Sequence, residues 1–379
     1  MKSLKLARRQ KINFLFIVIL CCCLSISLLN FMTDPYGIMG NPVIPGFNKF
    51  KPEKADTYRL FKAVDIIRLK PRTVFLGTST MDFGLDPNHP ALAAYGPVYN
   101  LGMPGTNIYE IMRYFEHALY NQPDIKRVII SSDTFMFDKY RNNPKDYSDN
   151  RLQTNTLAYK DIFNATFSIN AFVSSIKTIV VNLNNFKSEP YSTNGDRNEN
   201  WLVENKPVVY RFIRAINRDL QDINTLSPQR FDYFKRIVEL CRERNIDVKV
   251  FIPPIHATVT EGRFSKNKNL VTDEEKRLLV SIIPVWDFSG FNTITTEKVS
   301  NEMKYYIDAY HYRKNVGNLV LNRMLHFHEE TVPRDFGVLM TPENIEAHLI
   351  QIQHQRAEWQ KKHPELVKLV EDLEQVKGI

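Results

Sequence analysis

The chain has 379 residues, 43% hydrophobic and 24% charged, a balance that fits a globular protein with a sizeable core and excludes a disordered or collagen-like chain. A net charge of +8 does not indicate nucleic-acid binding, because Lys2, Lys5, Arg8, Arg9 and Lys11 precede any acidic residue and leave about +3 for the remainder. Of the four cysteines, Cys21, Cys22 and Cys23 share one apolar run and only Cys241 lies in the body, so the body has no internal disulfide.

Residues 1–11 form a basic segment, and Ile12 to Met32 follows with no charge at all. A bilayer-crossing helix needs about 20 apolar residues, and this stretch is long enough. Basic residues before it and Asp34 after it predict a single-pass inner (cell) membrane protein, its N-terminus cytoplasmic and its C-terminal domain extracytoplasmic. The rival is a cleaved signal peptide, for which Ser25-Ile26-Ser27 offers a weak site; Leu20 before Cys21 does not suit lipoprotein cleavage. The apolar run continues past Ser27, so residues 12–32 read as an uncleaved anchor. Residues 33–56, rich in Pro and Gly, read as a linker.

From residue 57 the pattern alternates. An amphipathic helix around Tyr58 to Leu69 leads to strands at Thr73 to Leu76, Val98 to Leu101 and Arg127 to Ser131. Asn107 can cap a helix, with Glu110 at the capping-box position. Pro228 follows Ser227 at another helix start, whose apolar stripe is Phe231, Phe234, Val238 and Cys241; Cys241 reads as a core residue. Val248 to Ile252 is a fourth strand, Asp273 to Ile283 is helical, and Val285 to Phe288 is a fifth strand. The expected fold is α/β: a three-layer α/β/α domain over residues 57–330 with a mostly parallel five-stranded sheet, flavodoxin-like in outline. Residues 138–225 break the alternation and read as a helical insertion, a cap beside the site. Residues 331–379 read as a helical tail, divided by Pro364.

In such sheets ligands bind beyond the carboxyl ends of the strands, and Ser79, Gly102, Asp133 and His256 all fall just past them. A serine hydroxyl becomes a nucleophile when a base takes its proton, and Asp308-Ala309-Tyr310-His311 supplies a histidine with a carboxylate three residues before it. Both are expected on one turn entering a helix. Each motif alone is weak; together at the ends of an alternating sheet they suggest a Ser-His-Asp triad. His326 and His328 beside Glu329 lack a metal-ligand framework, so no metal and no cofactor is expected.

Phe75-Leu76-Gly77-Thr78-Ser79-Thr80, with Gly84-Leu85-Asp86-Pro87, resembles the first block of the SGNH/GDSL hydrolase superfamily, and more closely the membrane-anchored branch related to alginate O-acetylation and teichoic-acid D-alanylation proteins. Asn100-Leu101-Gly102-Met103-Pro104-Gly105 resembles the second block and Asp308-x-x-His311 the last; the linker motif Asp34-Pro35-Tyr36-Gly37 is also similar to this branch. The likeness runs from about Asp34 to Leu325. It implies Ser79 as nucleophile, His311 as base, Asp308 as its orienter and the Gly102 N–H as an oxyanion donor. The third block departs: Ser131-Ser132-Asp133-Thr134 puts Asp133 where an oxyanion-binding asparagine is expected. Asn100 or Asn107 could substitute as donor, and His256 could line the substrate groove or be held locally.

The resemblance implies an extracytoplasmic serine esterase or O-acyltransferase acting on an acylated cell-surface glycan or a small acyl ester. A multi-pass acyl-transfer membrane protein is the implied partner. The missing asparagine favours a second reading, a non-catalytic carbohydrate-binding or polysaccharide-assembly protein.

Overall fold

The computed structural model describes residues 2–184, 189–202, 206–222, 225–266 and 268–375. Parts of the expected insertion (185–188, 203–205 and 223–224) and the end of the tail (376–379) lie outside the described residues. The chain divides into two compact units, Met1–Asp65 with Ser148–Tyr191, and Ile66–Tyr147 with Ser192–Ile379. Residues 148–191, the middle of the stretch read as an insertion, therefore group with the N-terminal residues.

In the first unit a helix spans Lys2–Thr33, and its segment Arg9–Thr33 is long and apolar enough to cross a membrane. That property is compatible with a single-pass anchor or with a signal sequence. The helix ends where Pro35 disfavours helical geometry at Asp34, which turns to φ +45°. The Asp34 carboxylate accepts from the Ile38 and Gly40 N–H groups, and the Gly37 N–H closes the turn onto the Asp34 carbonyl at 3.0 Å. A small core of Ile38, Phe61, Val64, Ala165 and Tyr191 holds this unit together.

The second unit is built on one six-stranded sheet: β1 (Thr73–Leu76), β2 (Val98–Asn100), β3 (Arg127–Ser131), β4 (Asp247–Ile252), β5 (Val285–Asp287) and β6 (Val338–Met340). The order is β2-β1-β3-β4-β5-β6, with the first five strands parallel and β6 antiparallel to β5. Every residue of β1 and β3 is buried, which is why Val74–Leu76 and Val128–Ile130 are continuous apolar runs rather than alternating ones. Helix Ser79–Gly84, which follows β1, packs on Lys314–Met324; Ile108–Asn121, which follows β2, packs on Pro228–Glu243. The right-handed rule for parallel crossovers, applied to this strand order, assigns the two pairs to opposite faces of the sheet.

Five strands were expected and six are present. Val338–Met340 is three residues long, too short to show a period, and only its pairing with β5 makes it a strand. The tail beyond it packs on this unit: Trp359, Leu366, Val370 and Leu373 are buried, and Arg356 bonds both Glu261 carboxylate oxygens at 2.8 Å.

Two close approaches shape the region after β1. A Cβ on Gly77 would stand 2.1 Å from Ser131 Oγ, and one on Gly317 would stand 1.8 Å from the Gly84 carbonyl oxygen. The sheet order reverses between β1 and β3, and the crevice beyond their carboxyl ends is where open parallel sheets bind ligands.

Candidate active site

Ser79 is the first residue of helix Ser79–Gly84, after Thr78 in extended conformation. The loop after β2 fixes this turn: Leu101 N–H donates to the Phe75 carbonyl and Met103 N–H to the Gly77 carbonyl, both at 3.0 Å. Ser79 Oγ lies 2.9 Å from His311 Nε2, and His311 Nδ1 lies 2.8 Å from Asp308 Oδ2. A carboxylate at Nδ1 holds the proton on that nitrogen and leaves Nε2 to accept from the serine hydroxyl.

Asp308 and His311 were expected at the entry to a helix; they lie instead in a tight loop, and the helix begins only at Lys314. An antiparallel bridge between Tyr306 and Tyr312 closes the loop, and Asp308 Oδ1 accepts from the Tyr310 and His311 N–H groups at 2.8 and 2.9 Å. The aspartate thus folds its own turn as well as orienting the imidazole. Burial alone would raise the Asp308 carboxyl, but the neighbouring His311 and the two backbone donors hold it down at about 2.

His256 supports this loop from behind. Its N–H donates to the Ala309 carbonyl at 3.0 Å, and its imidazole bonds Thr258 Oγ1 and the Glu297 carbonyl. It caps helix Ala257–Ser265, and burial pushes its pKa down to about 4, so the ring is neutral at physiological pH. Tyr310 reaches the other way: its hydroxyl donates to Asp219, which Arg263 also binds, at 3.0 Å.

Asp133 and the two candidate oxyanion donors, Asn100 and Asn107, are engaged elsewhere. Asp133 Oδ2 accepts from Thr78 Oγ1 at 2.6 Å and Thr80 Oγ1 at 2.8 Å, the two residues flanking Ser79. Burial raises the Asp133 carboxyl while those hydroxyls pull it down. Asn100 is fully buried and donates to the Met81 and Leu85 carbonyls, finishing the Ser79 helix, and its Oδ1 accepts the Gly102 N–H at 2.9 Å. Asn107 caps helix Ile108–Asn121 and donates to the Arg141 carbonyl and Asn143 Oδ1. Gly102 therefore lies near the Ser79 helix with its N–H turned to Asn100.

Several contributors are invisible to local sequence patterns. The Phe83 ring centroid lies 4.9 Å from that of His311, and the Arg197 guanidinium sits 4.4 Å over Phe83 while bonding Asp82 at 2.8 Å. Glu275, buried, accepts from Ser132 Oγ at 2.9 Å, and burial pushes its carboxyl up to about 7. Their contacts come from distant parts of the chain, and only the capping pattern at Asn107 could be read in advance. His326 and His328 occupy a turn with left-handed backbone and pair with Glu329 and Glu330 respectively; among the described residues no group of three or more His, Cys, Asp or Glu could hold a metal ion. Cys241 is buried, and burial pushes its thiol up to about 12.

No protein-family model and no curated protein matches the chain. Among solved structures it is similar to a Streptococcus pneumoniae protein provisionally described as a platelet activating factor, at 11% identity over 71% of this chain and 92% of that one, with a TM-score of 0.33. So low a score defines no shared fold.

Proposed function

We propose that this chain is a membrane-anchored, extracytoplasmic serine esterase or O-acyltransferase of SGNH type, acting on acyl esters of a cell-envelope glycan. The observation that carries the reading is the continuous hydrogen-bonded line Ser79–His311–Asp308 at the crevice where the strand order reverses. In it, Ser79 Oγ attacks the acyl carbon as His311 Nε2 takes its proton, and His311 returns that proton to the leaving alcohol. Asp308 keeps the imidazole in the required tautomer and stabilises the imidazolium. The Ser79 N–H, at a helix start where no intrahelical acceptor exists, is one donor for the oxyanion. A Gly102 contribution requires its N–H to leave Asn100 Oδ1. Water then releases the acyl group in a hydrolase, and a glycan hydroxyl does so in a transferase, with a multi-pass acyl-transfer membrane protein as the donor-side partner.

The test is labelling of the detergent-solubilised full chain with a fluorophosphonate probe, together with turnover of a small acetyl ester. Labelling is expected in the parent and lost in Ser79→Ala, and Asp308→Asn is expected to slow turnover by about 10³–10⁴-fold. Labelling that persists in Ser79→Ala would sink the assignment. Absence of both labelling and turnover in the parent would favour a second reading, a non-catalytic carbohydrate-binding or polysaccharide-assembly protein. The commitment of the Gly102 N–H to Asn100, and of Asp133 to the threonines, is what supports that alternative.

A further inference from the structure

Helix Ile169–Leu183 is patterned inside out. Its buried side carries Ala171, Ser174, Ser175, Thr178 and Asn182, while Ile169, Val173, Ile176, Val180 and Leu183 are exposed. Both sets recur at three- and four-residue steps, so each is one face of the helix. The preceding helix, Tyr159–Phe167, exposes Tyr159, Phe163 and Phe167 at four-residue steps. Exposure across these eight large side chains runs from 43% to 91%, an apolar surface that is unfavourable to leave in water. The small polar face is meanwhile well used within the same unit. Ser175 Oγ donates to Asn30 Oδ1 at 3.0 Å, Ser174 Oγ to Glu53 Oε2 at 3.2 Å, and the Asn182 amide bonds both backbone groups of Phe50. Small polar residues facing protein, with branched apolar residues facing outward, is the arrangement of a helix whose solvent is lipid.

Continuity and length say what covers the apolar face. Asn30 Nδ2 donates to the Thr166 and Ser168 carbonyls, at the break between the two helices. The pair meets helix Lys2–Thr33 near its C-terminal end, where Ser27, Asn30 and Thr33 are buried while Leu24, Leu28 and Phe31 stay exposed. The exposed apolar surface of the pair thus adjoins that of the apolar helix. Fifteen residues of helix rise about 22 Å, short of the ~30 Å hydrocarbon core. A 63° bend between the two helices keeps them from adding up to one straight span. We propose that residues 159–183 are an interfacial membrane element, seated in the leaflet from which Arg9–Thr33 emerges with its apolar face toward the acyl chains. The proposal rests on the reading of Arg9–Thr33 as a spanning anchor.

The test uses the full chain in phosphatidylcholine vesicles, with one tryptophan introduced at a time and the parent spectrum subtracted. Brominated lipids then report contact and depth. Val173→Trp and Val180→Trp are expected to lose most of their added fluorescence to bromines placed near the headgroups. Leu15→Trp is expected to respond to mid-chain bromines, and Tyr120→Trp, exposed in the second unit, to neither. If Leu15→Trp is quenched while Val173→Trp and Val180→Trp behave like Tyr120→Trp, the anchor stands and the interfacial element is refuted, leaving a protein partner as the occupant. Mid-chain quenching of Val180→Trp equal to that of Leu15→Trp would refute it in favour of a span. If Leu15→Trp escapes quenching, the anchor reading falls and the proposal with it.

Discussion

Asp133 changes role between its surroundings in sequence and in space. Beside a developing oxyanion a carboxylate would be repulsive, yet here it receives the Thr78 and Thr80 hydroxyls and so clamps the backbone on both sides of Ser79. Behind it, Glu275 is buried with its carboxyl pushed up to about 7 from an ordinary 4.5, burial being the main cause. A folded-state value raised above the unfolded one means stability that is whole below pH 4.5 and lost as pH rises through about 7. Glu275→Gln, which mimics the protonated form, is therefore expected to be more stable than the parent at pH 8, by up to about 3 kcal/mol. The difference should vanish below pH 4.5 in urea unfolding curves of the solubilised chain; an equal effect at both pH values would contradict the linkage. The motifs holding Ser79, Asp308 and His311 could be singled out as candidates because their signal is local. The Asn100–Gly102 bond spans only two residues, yet nothing in the pattern said which way the amide would turn. Thr78 and Thr80 flank Ser79 in plain view, but their acceptor is more than 50 positions away and meets them only because Leu76 and Ile130 are in register.

At the scale of elements, the six-residue helix that carries Ser79 is too short to be stable alone, so its position is set by what it touches. Asn100 holds its carbonyl end, and Lys314–Met324 packs against it through Gly317. Because a Cβ at Gly317 would overlap the Gly84 carbonyl oxygen, Gly317→Ala must push the two helices apart. A loss of about 1–3 kcal/mol in stability is expected, with a drop in Ser79 labelling rate larger than the population of unfolded chain explains. Unchanged labelling at unchanged stability would show that the helix does not depend on this contact. The five parallel strands were readable as short segments rich in β-branched and aromatic residues. The Asp308–His311 turn resembles a helix start in sequence because an aspartate that bonds its own following N–H groups looks like a capping residue.

For the whole molecule, the expectation is that the full chain stays with the membrane pellet after alkaline extraction and migrates near its full mass of 44.3 kDa. A shorter soluble product would indicate a cleaved signal instead. Composition and order along the chain were enough to locate the apolar helix, the mostly parallel α/β sheet and the Ser79, Asp308 and His311 motifs, because each depends on neighbours within a few residues. Tertiary structure alone decided the sixth strand, the grouping of residues 148–191 with the N-terminal residues, and the use of Asp133, Asn100, Asn107 and His256 as supports. The physical reason is the same in each case. A buried polar group takes whichever partner the fold brings within about 3 Å, and that partner is usually distant in sequence.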